Sequence, residues 1–385
     1  MSLDPVELTR RLVAIPSVNP ALQEGGTGEA EMGREVARIL AECGYAVETA
    51  PVVGSRANVV ARLGVEGPTL LLNGHLDTVG TRGMTVDPWG RDSTSDRVVG
   101  RGAADMKSGL AAILTTACRW AREEGPGTLV VALTCDEEHA SQGMQNLVGS
   151  GVRADAAIVT EPTSLAVMPA HKGFAWVEVD FLGRAAHGSR PDVGVDAIRH
   201  AGALLQELDS FEVGLQSGLP HPLLGHGSLH VGTIKGGTAW SVYPERCTVA
   251  LERRTLPAEA PDGFLDEIRR LVGRIADRDP SVHAEVRLDL VRPGSDVPLD
   301  TSLVRGLQRE LRAAGLSDEP RGMTAWVDAA YLNGIGIPAV CFGPGSIAQA
   351  HAADEWVAAQ EIRAATEVLT AFTRSFFAGG AASHE

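Results

Sequence analysis

Three apolar runs of strand length, each closing on a histidine or a carboxylate, constrain this chain more than any other feature. Thr69 to His75 follows a Gly-Pro pair and leads on to Asp77; Thr128 to Cys135 leads into Asp136-Glu137-Glu138; Ala156 to Thr160 leads into Glu161-Pro162. Short apolar runs bounded by glycine, proline and charge read as buried strands. In an open α/β sheet, sites gather beyond the carboxyl ends of the strands, so these groups are expected on one rim. Side chains two apart on a strand point the same way, which predicts the Asp77 carboxylate beside His75. A carboxylate that accepts one ring N–H fixes the tautomer and frees the other nitrogen for a metal. Taken alone, His-x-Asp also fits a hydrogen-bonded histidine at a strand end.

The chain has 385 residues, enough for two domains, and 44% hydrophobic residues with a mean hydropathy near zero describe a globular chain with a large core. A formal net charge of −15 argues against a nucleic-acid surface, which needs clustered positive charge, and gives no support to binding at an anionic membrane. No apolar run approaches the roughly 18 residues of a spanning helix, and no basic region followed by an apolar one opens the sequence, so neither a membrane span nor a signal peptide is expected. The cysteines at 43, 118, 135, 247 and 341 are widely spaced, odd in number and lack any Cys-x-x-Cys. Neither a disulfide framework nor a thiolate zinc site is expected, and a reducing cytoplasm is the expected location.

Taken in order, Asp4-Pro5 predicts a helix N-cap and first turn, with Leu8, Leu12 and Ile15 on one face. A second helix over 28–42 closes at Gly44, and strands are expected at 45–48 and 58–63, ahead of the His75 run. A short strand at 97–100 leads into Arg101-Gly102-Ala103-Ala104-Asp105-Met106-Lys107-Ser108-Gly109 and an Ala-rich helix from Leu110 to Trp120, which puts Asp105 in a loop before a helix N-terminus. A phosphate-binding loop would need glycine immediately before the lysine, where this chain has Met106. From Lys172 the pattern changes to strand (174–181), helix (194–211), two strands (227–234 and 246–254), helix (262–277) and strand (282–290), the order of a ferredoxin-like α+β layer. We expect a domain over 1–171, resumed at 293–385, around an insert at 172–292. The resumed part should contain a helix at 301–314, a strand at 338–342, a helix at about 356–376 and a frayed tail over 379–385.

Zinc takes nitrogen and oxygen ligands, and two zincs about 3.5–4 Å apart need a carboxylate between them. His75, Asp105, Glu138, Glu161 and His351 give each of two zinc ions one histidine and one carboxylate, with Asp105 as the bridge. Cobalt or manganese suits the same mixed set. Glu137 is then left over beside a ligand at the end of a buried strand. It is the candidate general base, taking a proton from water and passing it to a leaving amine. Paired glutamates on solvated faces are the plainer alternative.

Gly74-His75-Leu76-Asp77, the segment from Gly102 to Gly109, Asp136-Glu137-Glu138, Glu161-Pro162-Thr163 and His351-Ala352-Ala353-Asp354-Glu355 stand in this order. Together they resemble the two-zinc metallohydrolases that include acetylornithine deacetylase, succinyl-diaminopimelate desuccinylase, aminoacylase and glutamate carboxypeptidase, over about residues 5–373. The resemblance implies an α/β fold, a mixed-sheet di-zinc catalytic domain carrying an inserted ferredoxin-like lid or dimerisation domain. It implies metal ligands at His75, Asp105, Glu138, Glu161 and His351, and catalytic roles for Asp77 and Glu137. It also implies an oxyanion-holding histidine at His187, commonly acting across a subunit interface. Glu252 to Pro257 resembles the family's acid-x-Arg-x-x-Pro segment, which makes Arg254 the candidate to hold a substrate carboxylate through two N–H groups. Ser241 stands where similar chains often carry asparagine, and Gly345 is expected to offer a backbone N–H to substrate.

The implied reaction is hydrolysis of a small N-acyl amino acid by a homodimer joined through the insert. A dipeptidase or carboxypeptidase, an N-carbamoyl amino acid hydrolase and a non-catalytic relative are the alternatives. His221, His226 and His230, in a Gly/Pro-rich loop and strand of the insert, are read as ordinary residues, as is His139 in its loop. Trp240 and Trp326 are expected to line a pocket or pack.

Overall fold

The structure, a computed structural model, describes residues 3–64, 66–123, 125–260 and 262–381. In chain order it forms Pro5–Val13 (α1), Ala30–Glu42 (α2), Ala46–Val53 (β1), Arg56–Leu63 (β2), Thr69–His75 (β3), Arg97–Val99 (β4), Ser108–Trp120 (α3), Thr128–Thr134 (β5), Gln142–Gly149 (α4), Ala156–Val159 (β6), Ala170–His171 (β7), Gly173–Leu182 (β8), Ala197–Ser217 (α5), Ser228–Gly236 (β9), Arg246–Thr255 (β10), Gly263–Arg278 (α6), His283–Arg292 (β11), Ser295–Asp296 (β12), Ser302–Ala313 (α7), Gly322–Met323 (β13), Ala329–Gly334 (α8), Ala339–Cys341 (β14), Trp356–Ala358 (β15) and Ala359–Ala381 (α9). These elements fall into two compact units. The first comprises the chain up to Pro169, Val297–Arg321 and the chain from Val327; the second comprises Ala170–Asp296 and Gly322–Trp326.

The first unit is built on a six-stranded sheet of order β1-β2-β5-β3-β6-β14. β3 runs parallel to β5 and β6, β14 runs parallel to β6, and β2 is antiparallel to both β1 and β5, so the sheet is mixed. Leu70–Leu72, Leu129–Leu133 and Ala156–Val159 are buried along their length, as central parallel strands covered on both faces must be. The register pairs His75 with Thr134 and Asn73 with Val159, which brings the carboxyl ends of β3, β5 and β6 to one level. α3 is buried over nearly its whole length. Gly74 of β3 leaves room for the side chains that approach it from this side: an added Cβ would sit 2.9 Å from both Leu110 Cδ2 of α3 and Met106 Cε just before it. α9 covers α3 in turn, with Trp120 stacked on Phe377 at 4.6 Å between ring centroids.

The second unit is an antiparallel sheet of order β11-β8-β10-β9 with α5 and α6 packed against it. Alternate residues of β8 and β10, among them Val177, Val179, Phe181, Cys247, Val249 and Leu251, join Leu204, Phe264, Ile268 and Leu271 in its core. Period-2 burial of this kind is what one helix-covered face requires. Asp196 caps α5, its Oδ1 accepting the amides of Ile198 and Arg199. β7, β12 and β13 form a separate small sheet in this unit.

Several expectations are corrected. Cys43 and Cys118 form a disulfide, with 5.2 Å between their Cα atoms, while Cys135, Cys247 and Cys341 are free and buried. Cysteine usage therefore carries no argument for a reducing compartment. Trp356–Ala358 is a strand paired with β4, so the last helix begins at Ala359, and it continues through Ala381 where fraying was expected; 382–385 lie outside the described residues. The short helices α4 and α8 were not anticipated. Ser141 and Asp328 precede them as N-cap residue types, though neither makes a side-chain capping bond, and at 8 and 6 residues the helices are too short to show a helical period. Among the described residues no helix is long and apolar enough to cross a membrane.

Candidate metal centre and active site

The rim at the ends of β3, β5 and β6 brings together the five expected ligands with Asp77 and Glu137, all within the first unit. His75 closes β3 and is buried. Its Nδ1 lies 3.0 Å from the backbone carbonyl of Asp77, so Nδ1–H donates there and Nε2 is presented forward, 3.0 Å from Asp105 Oδ1. The expected partner on Nδ1 was the Asp77 carboxylate, and here the structure differs, since that carboxylate stands off at 3.7 Å. Asp77 lies past the strand end, where the chain bends and two-residue alternation no longer applies. Its oxygens instead accept the amides of Glu137 (3.1 Å) and Glu138 (3.2 Å) and Nδ2 of Asn19 (2.8 Å). Burial pushes the Asp77 carboxyl up to about 7.

Asp105 occupies an irregular turn between Gly102 and α3, with φ −120° and ψ 93°. His351 sits in the loop between β14 and β15 at φ 62°, its Nε2 2.9 Å from Glu138 Oε2 and 3.5 Å from Asp105 Oδ2. Two groups result, His75–Asp105–Glu161 and Asp105–Glu138–His351, and within each the ligand atoms all lie within 4.8 Å of one another. They share Asp105, as a carboxylate bridging two ions would require. The fit to cations has a second support. Glu138 Oε1 and Glu161 Oε1 are buried without a hydrogen-bond partner, an arrangement that is costly unless a positive charge fills it.

The electrostatics agree. Burial pushes the Glu161 carboxyl up to about 8, helped by the neighbouring Asp105 charge. Loss of solvent, with Glu161, Asp328 and Glu138 nearby, holds Glu137 well above the usual carboxylate range. Burial alone would lower His75, but the bond to Asp105 and the surrounding carboxylates outweigh it and hold the imidazole well above its ordinary value. The bond to Glu138 raises His351 to about 9. So much crowded negative charge is the setting in which divalent cations bind.

Several residues at this rim were missed in the sequence. Asp136, at φ 68°, turns the chain so that the next two amides face Asp77, and its carboxylate accepts from Asn19 Nδ2 (3.0 Å), Arg56 Nη1 (2.8 Å) and Gln142 Nε2 (2.9 Å). Arg56 is held from behind by Glu29, with Nε 2.9 Å from Oε2. Asp136 stands in the same Asp-Glu-Glu run as Glu137, which was the available signal; Asn19 and Arg56 had none. Gly345 needs correction. Its N–H is donated to Glu361 Oε2 at 2.8 Å, so it is not open to a substrate.

His187, Ser241 and Arg254 belong to the second unit. The Ser189 amide donates to His187 Nδ1 at 3.2 Å, which makes Nδ1 an acceptor and leaves the proton of the neutral ring on Nε2. The Gly188 amide donates to the Ser241 carbonyl at 2.7 Å, so these two loops lie side by side. Arg254, near the end of β10, donates from Nε to Glu252 Oε1 at 2.7 Å, and its guanidinium lies 5.3 Å from the centre of the Phe174 ring. His221 is paired with Asp296 at 3.1 Å, and Trp326 donates to the Pro293 carbonyl at 3.0 Å.

Comparison with known proteins follows the same line. Residues 71–375 match peptidase family M20/M25/M40. An acetylornithine deacetylase of Myxococcus xanthus is 31% identical over 334 residues, 84% of this chain and 85% of its own. One from Proteus mirabilis is 27% identical over 378 residues, 96% of each. Similar solved structures include the aminopeptidase PepT of Bacillus cereus, with a TM-score of 0.81 at 20% identity over 96% of this chain and 97% of that one. Another is the YXEP protein of Bacillus subtilis, described as a dinuclear metal binding peptidase, with a TM-score of 0.72 at 19% identity over 96% of each. At such identities the likeness speaks for the fold.

Proposed function

The chain belongs to peptidase family M20/M25/M40 and is a hydrolase of amide bonds, and we propose that it releases an amino acid from its N-acyl form, as an acetylornithine deacetylase or a succinyl-diaminopimelate desuccinylase does. The observation that carries this reading is the pair of ligand groups sharing Asp105, with Glu137 adjoining them and belonging to neither. His75, Asp105 and Glu161 would hold one divalent ion, and Asp105, Glu138 and His351 the other. Zinc suits this mixture of imidazole and carboxylate, and cobalt or manganese shares its preferences. Such a pair supplies Lewis acidity to the scissile carbonyl and makes a water acidic enough to react near neutral pH.

Glu137 accepts the proton of the attacking water and delivers it to the leaving nitrogen. Asp77 holds the backbone on which Glu137 stands. His187, with its proton on Nε2, is the donor to the oxyanion, from its own or a partner subunit; such donors contribute roughly 3–4 kcal/mol. Arg254 holds the substrate carboxylate, and the Ser241 hydroxyl is a further contact. The second unit is read as the lid and dimerisation unit. Edge strand β9, with Val231 and Ile234 exposed, and the fully exposed Trp240 support a homodimer.

The test is free-amine release by the zinc-loaded protein from N-acetyl-ornithine, N-succinyl-diaminopimelate, other N-acyl and N-carbamoyl amino acids and dipeptides. Preference for acylated amino acids supports the reading. Activity confined to dipeptides moves it to the peptidases, and silence across the panel refutes it.

A further inference from the structure

The Glu355 side chain is buried, and each of its oxygens is taken by two donors. Oε1 accepts the amides of Ala104 (2.9 Å) and Asp105 (3.1 Å); Oε2 accepts the Gly102 amide (3.0 Å) and Arg101 Nη1 (2.6 Å). Its backbone carbonyl accepts the Gly100 amide at 3.0 Å, and from the next residue β15 pairs with β4. Residues 100–105 are thus wound around one carboxylate that arrives from about 250 positions later in the chain. The winding puts Gly100 at φ +138° and Gly102 at φ +82°, values that glycine alone adopts without strain. It also sets the direction in which Asp105 leaves the turn, because the Asp105 amide is one of the bonds to Glu355.

The same residue ends the segment that carries His351, four positions earlier. That segment is anchored once more where the Thr85 amide donates to the Ala353 carbonyl at 2.8 Å. The ligands of the second group that come from these two distant loops, Asp105 and His351, are therefore joined through a side chain that belongs to neither ligand group.

We propose that Glu355 is a positioning residue of the metal centre, its carboxylate fixing the separation and direction of Asp105 and His351. The inference rests on the reading of those two residues as ligands. A glutamine at 355 would aim an NH₂ group at two N–H donors, at either Ala104 and Asp105 or Gly102 and Arg101. Buried donors that lose their acceptor are strongly unfavourable, so the turn would open and Asp105 would swing with it.

The experiment is zinc titration of metal-stripped protein against a chromophoric chelator, for wild type, E355Q, E355D and D105A. E355Q should keep its far-UV circular dichroism, bind zinc 10- to 100-fold more weakly, and recover most of kcat at saturating zinc with KM unchanged. E355D retains the charge but withdraws it by one methylene, so its loss should be smaller; it carries the test if E355Q does not fold. Wild-type zinc affinity in whichever of these variants folds, beside its loss in D105A, overturns the proposal. Undiminished affinity in D105A overturns the ligand reading beneath it, and this inference with it.

Discussion

The backbone N–H of Glu137 is aimed at Oδ1 of Asp77, 3.1 Å away, and the Glu138 amide lies 3.2 Å from Oδ2 of the same carboxylate. A proposed base and a proposed ligand thus stand on one anion, which Asn19 pins from the side. In D77N an NH₂ group would meet one of those amides. The variant should still bind two zincs yet turn over 10- to 100-fold more slowly, with little change in KM. Steady-state kinetics beside metal analysis checks this, and a rate that falls only in step with lost zinc would return Asp77 to a role on His75.

Removal of the proposed base should separate chemistry from binding. E137A should keep its fold and its metal and lose at least about 10²-fold in kcat. Retention of most activity would sink the assignment of Glu137.

Metal removal should be reversible and visible without any assay of turnover. Binding confined to the native state raises the melting temperature as free zinc rises. Chelated protein should therefore melt lower and regain both stability and activity with two equivalents of zinc. Full recovery with one equivalent counts against two ions sharing Asp105.

His171, in the second unit, gives a separate pH dependence. It is buried in the second unit; Nδ1 contacts the Lys172 carbonyl at 3.1 Å, and Nε2 has no partner. Burial lowers it to about 4. Because the folded value lies below the unfolded one, the stabilising effect of the neutral ring is complete above about pH 6.5 and fades as pH falls toward 4. Between pH 7 and pH 5 the loss is about 2 kcal/mol. Urea midpoints at the two pH values should fall further for wild type than for H171Q, and equal shifts would remove His171 as the cause.

The disulfide makes a countable prediction. Denatured without reductant, the chain should show three reactive thiols of its five, from Cys135, Cys247 and Cys341. Five would deny the bond. Closing a separation of 75 residues, it should stabilise the first unit by up to about 4 kcal/mol, read as the fall in urea midpoint in C118S.

The rim was legible because chemistry-bearing residues directly follow apolar runs, and parallel strands in level register can deliver such ends only to one edge. His75, Glu138 and Glu161 were found this way, and the mixed sheet around them has the expected class. The support behind these candidate ligands was not legible. Arg56 reaches Asp136 because β2 pairs antiparallel with β5, an adjacency that no local pattern encodes. Cys43 and Cys118 meet because α2 and α3 pack together, and their spacing has no period. Gly345 read as an open donor because its acceptor, Glu361, lies in a different element.

At Gly74, a Cβ would lie 2.9 Å from both Met106 Cε and Leu110 Cδ2. The missing methyl works like the stop on a vice. It sets how far the jaw holding His75 closes on the jaw holding Asp105, and it does so from the buried side of the rim. One methyl more at 74, or a trimmed side chain at 106 or 110, would reset that gap with His75 and Asp105 both left in place, so the spacing of the two proposed ligands is set in part from within the hydrophobic core.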